Sequence, residues 1–594
     1  MASELPRWLQ ARYSILWDEF NERKFSYEEA AEILINKNKD DWHQVPVYLS
    51  ELRKAGWLIT EQNQKDSRKK LYRLVSKEQK IIETLSISQT VLTRADIESI
   101  LKRAADLIRT RVDYKFILIL LFLKRFSDKW AVEYEQVYKE AMEDGLSEEE
   151  AKVEAKKALY HNFDLPEEYL WDNLRKDVSK LPENMSKALK VIADRNPDFK
   201  DIVDSVDFIQ FTSSSENAEI LRQLVELFSE KRLHNVSPDI LGDAYEWILR
   251  YFAPTKAKEG EIYTPREVIK LLVGILDPKP EESVYDPACG SGGMLIQSYK
   301  HIENRLGKEE ADKLFLYGQE VNQRTIALAR MNMYIHDIRN VNFAFGDTFL
   351  YPKFKENNSI KKFDVVMANP PWNQDGYPED VLKKGEFWQQ RFTFGFTPAQ
   401  SADWAWIQHM LSSAANNDGR VGIVIDNGCL FRGGKEQAIR QKVVEADLLE
   451  CVILLPEKLF YNTGAPGAIM IFRVNKPEQR KNRVLFINAS MEFEQHPEVR
   501  KLNRLGDSNI ERIVKAYREF EEVKNFSRIV ALEEIKRNDW NLNVSLYVSP
   551  ETEDEKIDVV KEFEELKALE EERQKLMRDI EGYVEELRRL NWDG

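Results

Sequence analysis

The stretch Phe363-Asp-Val-Val-Met-Ala-Asn-Pro-Pro-Trp372 decides how the central part of this chain folds. Its first six residues are mostly apolar and include β-branched valines, which predicts a short buried strand over residues 363–368. The strand must stop at the two prolines, because proline has no amide hydrogen to donate and has a fixed φ. An amide side chain, a rigid turn and an indole ring are therefore brought together where one strand ends.

These groups suit one kind of target, an exocyclic amino group on a flat ring. The side-chain oxygen of Asn369 and the carbonyl oxygen of Pro370 can each accept an N–H from such a group. The indole of Trp372 can stack on the face of the ring. The accepting oxygens would also stabilise the positive charge that develops when the amino nitrogen attacks an electrophile. The pattern predicts chemistry at an amino nitrogen.

A second motif lies upstream. Ser283-Val-Tyr-Asp286 predicts another strand, and Pro287-Ala-Cys-Gly-Ser-Gly-Gly-Met294 follows it directly. The glycines at 290, 292 and 293 allow the backbone to approach a ligand closely and to turn into a helix that starts near Met294. Strand, glycine-rich loop and helix in this order predict a ligand-binding loop.

Between about residues 236 and 490, predicted strands and helices alternate, which favours an α/β fold with a doubly wound parallel sheet. The predicted strands cover residues 284–286, 315–319, 342–345, 364–368, 421–426, 449–454 and 468–474. In such a sheet, ligands bind at the carboxyl ends of the strands. The polar side chains that fall at predicted strand ends are Asp286, Glu320, Asp347 and Asn369. The sequence therefore predicts one site that these side chains share.

Two segments precede the alternating region. Over residues 1–80 the sequence predicts helices followed by a β-hairpin, and this stretch resembles a winged-helix domain. Ser26 and Glu29 match a capping box at the start of one of these helices. Residues 88–235 predict a helical domain. Within it, residues 116–123 are apolar on every side, which indicates a buried helix because the run is too short to span a membrane.

Two further segments follow the alternating region. The sequence predicts a segment of mixed secondary structure over residues 491–550 and a long coiled-coil helix over residues 551–594. Apolar residues at one heptad position are Leu566, Ile580 and Leu587, and those at the other are Leu569, Leu576, Tyr583 and Leu590. A seam of this kind needs a partner helix, either from within the molecule or from another chain, and we expect another chain.

Composition limits the class of protein. A chain of 594 residues is too long for one core, so three or four domains are expected. No apolar run approaches the roughly 20 residues of a membrane helix, and no signal peptide opens the chain. Its three cysteines are isolated, which argues against a disulfide framework and a zinc site. We expect a cytoplasmic protein without a metal.

The motifs resemble those of amino-methyltransferases that use S-adenosylmethionine to modify adenine N6. The similarity extends to Glu261-Ile-Tyr-Thr-Pro-Arg-Glu267, Tyr317-Gly-Gln-Glu320 and Gly346-Asp347. Over about residues 90–550 the sequence is similar to the modification (M) subunits of type I restriction-modification systems, which serve in phage defence. The resemblance implies a Rossmann-like S-adenosylmethionine-dependent methyltransferase domain that methylates a flipped adenine in DNA.

The resemblance also implies roles for individual residues. The implied catalytic residues are Asn369, Pro370, Pro371 and Trp372. The implied cofactor-binding residues are Tyr263, Thr264, Pro265, Asp286, Ala288, Gly290, Ser291, Gly292, Gly293, Glu320, Asp347 and Asn369. Among them Glu320 is expected to accept from the ribose hydroxyls, and Asp347 is expected near the adenine of the cofactor. Thr264 and Pro265 would line the pocket, or would start a helix with Thr264 as N-cap and Pro265 at N1, and these two roles are compatible.

The sequence shows no segment large enough to read a DNA target after residue 490. The resemblance implies that a specificity (S) subunit reads double-stranded DNA, with two M subunits bound to each S and a restriction (R) subunit joining for cleavage. The net charge of −15 agrees with a partner that supplies many of the phosphate contacts. Two alternatives stay open: an N-methyltransferase of RNA or protein glutamine, and a non-catalytic winged-helix DNA-binding regulator.

Overall fold

The computed structural model describes residues 7–21, 23–54, 57–62, 70–75, 92–108, 113–161, 164–196, 199, 206–234, 236, 238–256, 264–460, 463–496, 500–549 and 559–589. The chain divides into two compact units. One consists of Met1–Phe252 with Asn322–Arg339, and the other of Ala253–Val321 with Asn340–Gly594. None of the helices in the described ranges is both long enough and apolar enough to cross a membrane.

The first unit begins with helices and a small sheet. Its elements are the helices Arg7–Phe20, Tyr27–Asn38 and Val45–Lys54 and the strands β1 (Phe25–Ser26), β2 (Leu58–Gln62) and β3 (Lys70–Leu74). The strands pair antiparallel in the order β1-β3-β2, which gives a winged-helix-like arrangement. Ser26 Oγ accepts from the Glu29 N–H at 3.2 Å, and the Glu29 carboxylate accepts from the Ser26 N–H at 2.7 Å. The predicted capping box is therefore confirmed, whereas the first helix and β1 have no clear signal in the sequence.

The remainder of the first unit is helical. Its helices are Arg94–Ile108, Lys115–Glu143, Glu148–Ala155, Trp171–Leu174, Leu181–Arg195, Phe208–Phe211, Ser215–Ser229, Pro238–Lys256 and Gln323–Ile335. Residues 116–123 are at most 7% exposed within the helix Lys115–Glu143, so the prediction of a buried helix is confirmed. In the same helix Lys124 forms a buried ion pair with Asp128, which also accepts the Leu233 N–H at 2.7 Å.

The second unit is organised by one large sheet. The strands of this unit are β4 (Ser283–Asp286), β5 (Phe315–Glu320), β6 (Val341–Phe345), β7 (Lys355–Glu356), β8 (Ser359–Ile360), β9 (Val365–Ala368), β10 (Arg420–Asp426), β11 (Leu449–Leu454), β12 (Gly467–Arg473), β13 (Arg483–Asn488), β14 (Glu494–Gln495), β15 (Asn503–Arg504) and β16 (Ser527–Ala531). Among the described residues, nine strands form the sheet in the order β16-β13-β11-β12-β10-β9-β4-β5-β6. Strands β6, β5, β4, β9 and β10 are parallel. The chain runs outward from β4 to β6 and returns to β9, so strand order reverses beside β4 and creates a crevice at the carboxyl ends.

Helices cover both faces of this sheet. The helices of the second unit are Arg266–Leu276, Gly293–Leu306, Lys308–Ala311, Glu379–Leu382, Trp388–Arg391, Asp403–Ser413, Lys435–Glu445, Asp507–Glu519, Leu532–Arg537 and Val559–Arg589. Gly422 of β10 faces Leu272 and Leu276. Its neighbours Val421 and Ile423 belong to the buried cluster that contains Trp404, and successive strand residues point to opposite faces.

Two features of the sheet differ from a simple parallel arrangement. Strand β12 is antiparallel to both β10 and β11. Strand β16, which lies in the segment predicted as mixed, pairs antiparallel with β13 and extends the sheet. The predicted strands of residues 284–474 all occur, and the Rossmann-like α/β fold is confirmed.

The helix Val559–Arg589 carries four of the predicted heptad residues on an exposed stripe. Leu566, Leu569, Leu576 and Ile580 are each more than half exposed. Leu590 lies outside the described residues, as do the side chains of Tyr583 and Leu587. The stripe is therefore available to a partner along the described part of the helix.

Gly318 in the middle of β5 offers a test of how tightly the sheet edge is packed. A Cβ at this position would lie 2.8 Å from the Phe343 ring and 2.9 Å from Cys289 Sγ. We expect Gly318→Ala to lower the free energy of unfolding by about 1–3 kcal/mol, measured by denaturant titration. Gly464→Ala, whose Cβ would enter open space, is the control. Equal stability of the two variants would contradict this packing.

Candidate active site

The loop after β4 begins at a buried carboxylate. Asp286 is 1% exposed, and its Oδ1 accepts the Ala288 N–H at 3.0 Å. The pKa of Asp286 is raised to about 8, mainly by burial; the Ala288 hydrogen bond acts to lower the pKa, and the charge of Glu320 acts to raise it. The carboxyl group is therefore held in an environment that favours its neutral form, and a nearby cation would favour its ionised form.

Two glycines of this loop have positive φ. Gly290 has φ +52° and Gly292 has φ +84°, in the region that side chains disfavour. A Cβ on Gly290 would meet nothing within 4 Å, so the space beside the loop is open. The helix Gly293–Leu306 starts directly after Gly292. The Gly290 N–H donates to Glu320 Oε2 at 3.1 Å, which ties the loop to the end of β5.

Asp347 lies at the end of β6 and is held from several sides. Its Oδ1 accepts the N–H groups of Phe349 at 2.8 Å and Leu350 at 3.1 Å, and its Oδ2 accepts the Tyr377 hydroxyl at 2.8 Å. Burial, followed by the contact with Asp347, raises the pKa of Tyr377, so this hydroxyl keeps its proton and donates it. Asp347 is thereby fixed in orientation at the strand end.

Gln319 supports the same region, and sequence reasoning missed it. Its side chain is fully buried, donates to the carbonyls of Gly346 at 3.0 Å and Tyr351 at 2.9 Å, and accepts the Lys353 N–H at 3.0 Å. The signal that could have revealed it is a glutamine inside an otherwise apolar strand. Gln319 thus joins the ends of β5 and β6.

Asn369 directly follows β9, and both the nitrogen and the oxygen of its side-chain amide form hydrogen bonds. Its Nδ2 donates to Thr264 Oγ1 at 2.8 Å, and its Oδ1 accepts the Trp372 indole N–H at 2.9 Å. The Trp372 ring lies edge-on to Phe460, with the ring centroids 4.7 Å apart and the planes at 69°. Because a carbonyl oxygen can accept two hydrogen bonds, Asn369 Oδ1 retains one acceptor site for a further N–H.

The residues before the helix Arg266–Leu276 differ in detail from the expected helix start. Pro265, rather than Thr264, is the residue at the N-cap position, and it makes no side-chain cap. The Thr264 hydroxyl instead accepts from Asn369. Tyr263 lies outside the described residues. Thr264 is therefore placed beside the catalytic candidate, which agrees with the expectation that it lines the pocket.

The structure brings most of the candidate residues to one edge of the sheet. These residues lie at or just after the carboxyl ends of the adjacent parallel strands β4, β5, β6 and β9: Asp286, Glu320, Asp347 and Asn369. Three of these residues carry carboxyl groups, and a cation would favour the ionised form of Asp286, so the crevice suits a cationic ligand. Val321, directly after Glu320, is 62% exposed and adds apolar surface there. Within the part of the chain that the structure describes, no group of His, Cys, Asp and Glu is arranged to hold a metal ion.

Known proteins and family models match this chain over most of its length. The model of the family N-6 DNA Methylase matches residues 236–556, and that of the HsdM N-terminal domain matches residues 97–228. The type I restriction enzyme MjaVIII methylase subunit of Methanocaldococcus jannaschii is 44% identical over 98% of both chains. The HindI methylase subunit of Haemophilus influenzae is 33% identical over 59% of this chain and 81% of its own.

A solved structure shows the same architecture. The methyltransferase subunit of the type I restriction-modification system from Streptococcus thermophilus has a TM-score of 0.66 and 26% identity. The match covers 77% of this chain and 100% of that chain. A modification subunit of a type I restriction enzyme from Vibrio vulnificus shares the fold, with a TM-score of 0.54 and 19% identity.

The raised pKa of Asp286 predicts a pH-dependent stability. Between about pH 4 and pH 8 this carboxyl is neutral in the folded chain and ionised in the unfolded chain, so its contribution to stability is lost as pH rises. We expect Asp286→Asn to raise the melting temperature by at least ~2 °C at pH 8 and much less at pH 5, by calorimetry. The exposed residue Asp375, changed to Asn, is the control; an Asp286→Asn effect independent of pH would contradict the argument.

Proposed function

This chain belongs to the N-6 DNA methylase family, as the modification subunit of a type I restriction enzyme, and from that premise we propose that it transfers a methyl group from S-adenosylmethionine to N6 of adenine in double-stranded DNA. The observation that carries the proposal is Asn369, whose amide is oriented by Thr264 and Trp372 at the carboxyl end of β9. Neither alternative, a methyltransferase of RNA or protein glutamine or a non-catalytic regulator, is favoured by any relative named above.

The residues at the crevice fit S-adenosylmethionine, which would supply a methyl group activated by a sulfonium charge. The open space beside Gly290 leaves room for a ligand, and Glu320 can accept from ribose hydroxyls. The carboxylates of Asp286 and Asp347 match a cationic ligand. The residues that would hold the cofactor are Tyr263, Thr264, Pro265, Asp286, Ala288, Gly290, Ser291, Gly292, Gly293, Glu320, Asp347 and Asn369.

The chain's own residues would act on the amino group of the target base. The two N–H groups at N6 donate hydrogen bonds to the chain. One is accepted by Asn369 Oδ1, through its second acceptor site, and the other by the Pro370 carbonyl oxygen. These contacts localise the nitrogen lone pair and stabilise the positive charge that forms during attack. Pro371 keeps the turn rigid. The indole of Trp372 contacts the flipped base and, through its N–H, holds the Asn369 amide in one orientation.

Sequence specificity would come from a specificity subunit, and the long C-terminal helix is the docking element that we propose for it. The exposed stripe of Leu566, Leu569, Leu576 and Ile580 matches the surface that a helical partner covers. Two modification subunits per specificity subunit, with a restriction subunit joining for cleavage, complete the proposed assembly.

Mapping modified adenines across the genome tests the chemistry. In cells carrying the intact locus, we expect N6-methyladenine at a two-part sequence motif. Asn369→Ala should remove the mark and lower kcat at least about 100-fold, because the acceptor for the amino group is lost. Asn475→Ala, which removes an amide bonded to the carbonyls of Asn416 and Asn417, is the control. Persistence of the mark in the Asn369→Ala strain would contradict adenine methylation by this site.

Co-purification tests the docking helix. Replacing Leu569 and Leu576 by Ser should reduce capture of the specificity subunit at least about tenfold, since the apolar stripe supplies the contact. The matched control changes Glu571 and Arg578 to Ser on the opposite face of the helix. Both variants should melt like the parent chain, because all four side chains are exposed. Equal capture by both variants would place the partner elsewhere.

A further inference from the structure

The turn after the catalytic tetrapeptide is held in an unusual conformation. Asn373 has φ +51°, the left-handed region that asparagine tolerates better than other side chains. Its N–H donates to Asp403 Oδ1 at 2.9 Å, and its Oδ1 accepts from Arg432 Nη1 at 2.6 Å. Both the backbone and the side chain of this one residue are therefore tied to the same pair of charged groups.

Arg432 is the centre of that cluster. Its guanidinium forms ion pairs with Asp403, with Asp426 at 2.8 Å and with Glu436 at 2.8 Å. The side chain of Asp403 is fully buried, and that of Glu436 is 2% exposed. The cluster thus connects the loop after β10 with the helices Asp403–Ser413 and Lys435–Glu445.

The charges of the cluster are not balanced. A single guanidinium faces the carboxylates of Asp403, Asp426 and Glu436, and burial raises the pKa of Asp403. Burial lowers the pKa of Arg432, but the hydrogen bond with Glu436 and the charges of Glu436 and Asp403 raise it overall, so the guanidinium stays charged. Buried ion clusters are weak sources of stability, and a geometric role accounts better for this arrangement.

A continuous path leads from Arg432 to the catalytic amide. Asn373 directly follows Trp372, and the Trp372 indole N–H donates to Asn369 Oδ1 at 2.9 Å. The next residue, Gln374, is also fixed, because its carbonyl accepts the Ala402 N–H at 2.8 Å. The backbone on the carboxyl side of Trp372 is thus anchored at consecutive residues.

We propose that Arg432 is a positioning residue that holds the turn at Asn373 and thereby sets Trp372 and the Asn369 amide for capture of the target base. The role rests on the proposed function. Arg432 does not touch the base; it acts through Asn373. Only a planar guanidinium can bond several carboxylates and the Asn373 amide at once, because an ammonium is a point charge with fewer donors.

Steady-state kinetics of the full chain, assembled with the specificity subunit from its locus, test this role. The substrate is genomic DNA from cells that lack the locus. We expect Arg432→Lys to lower kcat about 10–100-fold while KM for S-adenosylmethionine stays within about twofold, since misplacement of the reacting groups affects the chemical step. Arg473→Lys, which alters an arginine–carboxylate pair with Asp418 at the amino ends of β9 and β10, away from the site, should leave both constants unchanged.

A double-mutant cycle separates positioning from general stability. Asn373→Gly keeps the left-handed turn and every ion pair of the cluster, but it removes the oxygen that Arg432 bonds. If Arg432 acts through Asn373, this variant reproduces the kcat defect, and the double variant is no slower than the slower single variant. If Arg432→Lys proves unstable, Asn373→Gly alone decides the question. Full kcat in Asn373→Gly, or additive losses in the double variant, would overturn the proposal.

The controls also separate failure of the proposed function from failure of the positioning role. A wild-type assembly that transfers no methyl group to DNA would overturn the proposed function and this role with it. An active wild type together with an equally active, folded Arg432→Lys variant would overturn the positioning role alone.

Discussion

Two consecutive prolines cannot continue a strand, and the rest of the site depends on that constraint. Strand β9 ends at Ala368, and the chain leaves the sheet at Asn369, in the position where strand order reverses beside β4. The amide therefore emerges next to the glycine loop that follows β4. The hydrogen bonds to Thr264 and Trp372 then select one orientation of the amide. The two prolines fix the position of the amide proposed as catalytic, and side-chain contacts fix its orientation.

The strands and the strand-end residues could be predicted because their signals are local. Apolar runs followed by glycine, proline or an acid define β4, β5, β6 and β9 without reference to distant parts of the chain. The antiparallel direction of β12 and the addition of β16 to the sheet depend on pairing between distant segments. Periodicity alone does not contain that information, since a strand has the same pattern in either direction.

The supporting residues of the site escaped prediction for a related reason. Gln319, Tyr377 and Arg432 act through hydrogen bonds to residues between 27 and 59 positions away in the sequence. A single polar residue in or after a strand has many ordinary explanations, and only the folded chain shows which groups it joins. The residues that carry the chemistry were therefore easier to find than those that hold them in place, and the assigned roles of both sets stay proposals.

The exposed leucine stripe on the helix Val559–Arg589 has a consequence for how much of this chain a cell can produce without its partner. Large apolar patches that lack their partner promote aggregation. A copy synthesised without a partner would present this stripe to every other unassembled copy and to the quality-control machinery of the cell. Production of this chain and of its proposed partner, the specificity subunit, in matched amounts would then be as important for the amount of active complex as the stability of either polypeptide.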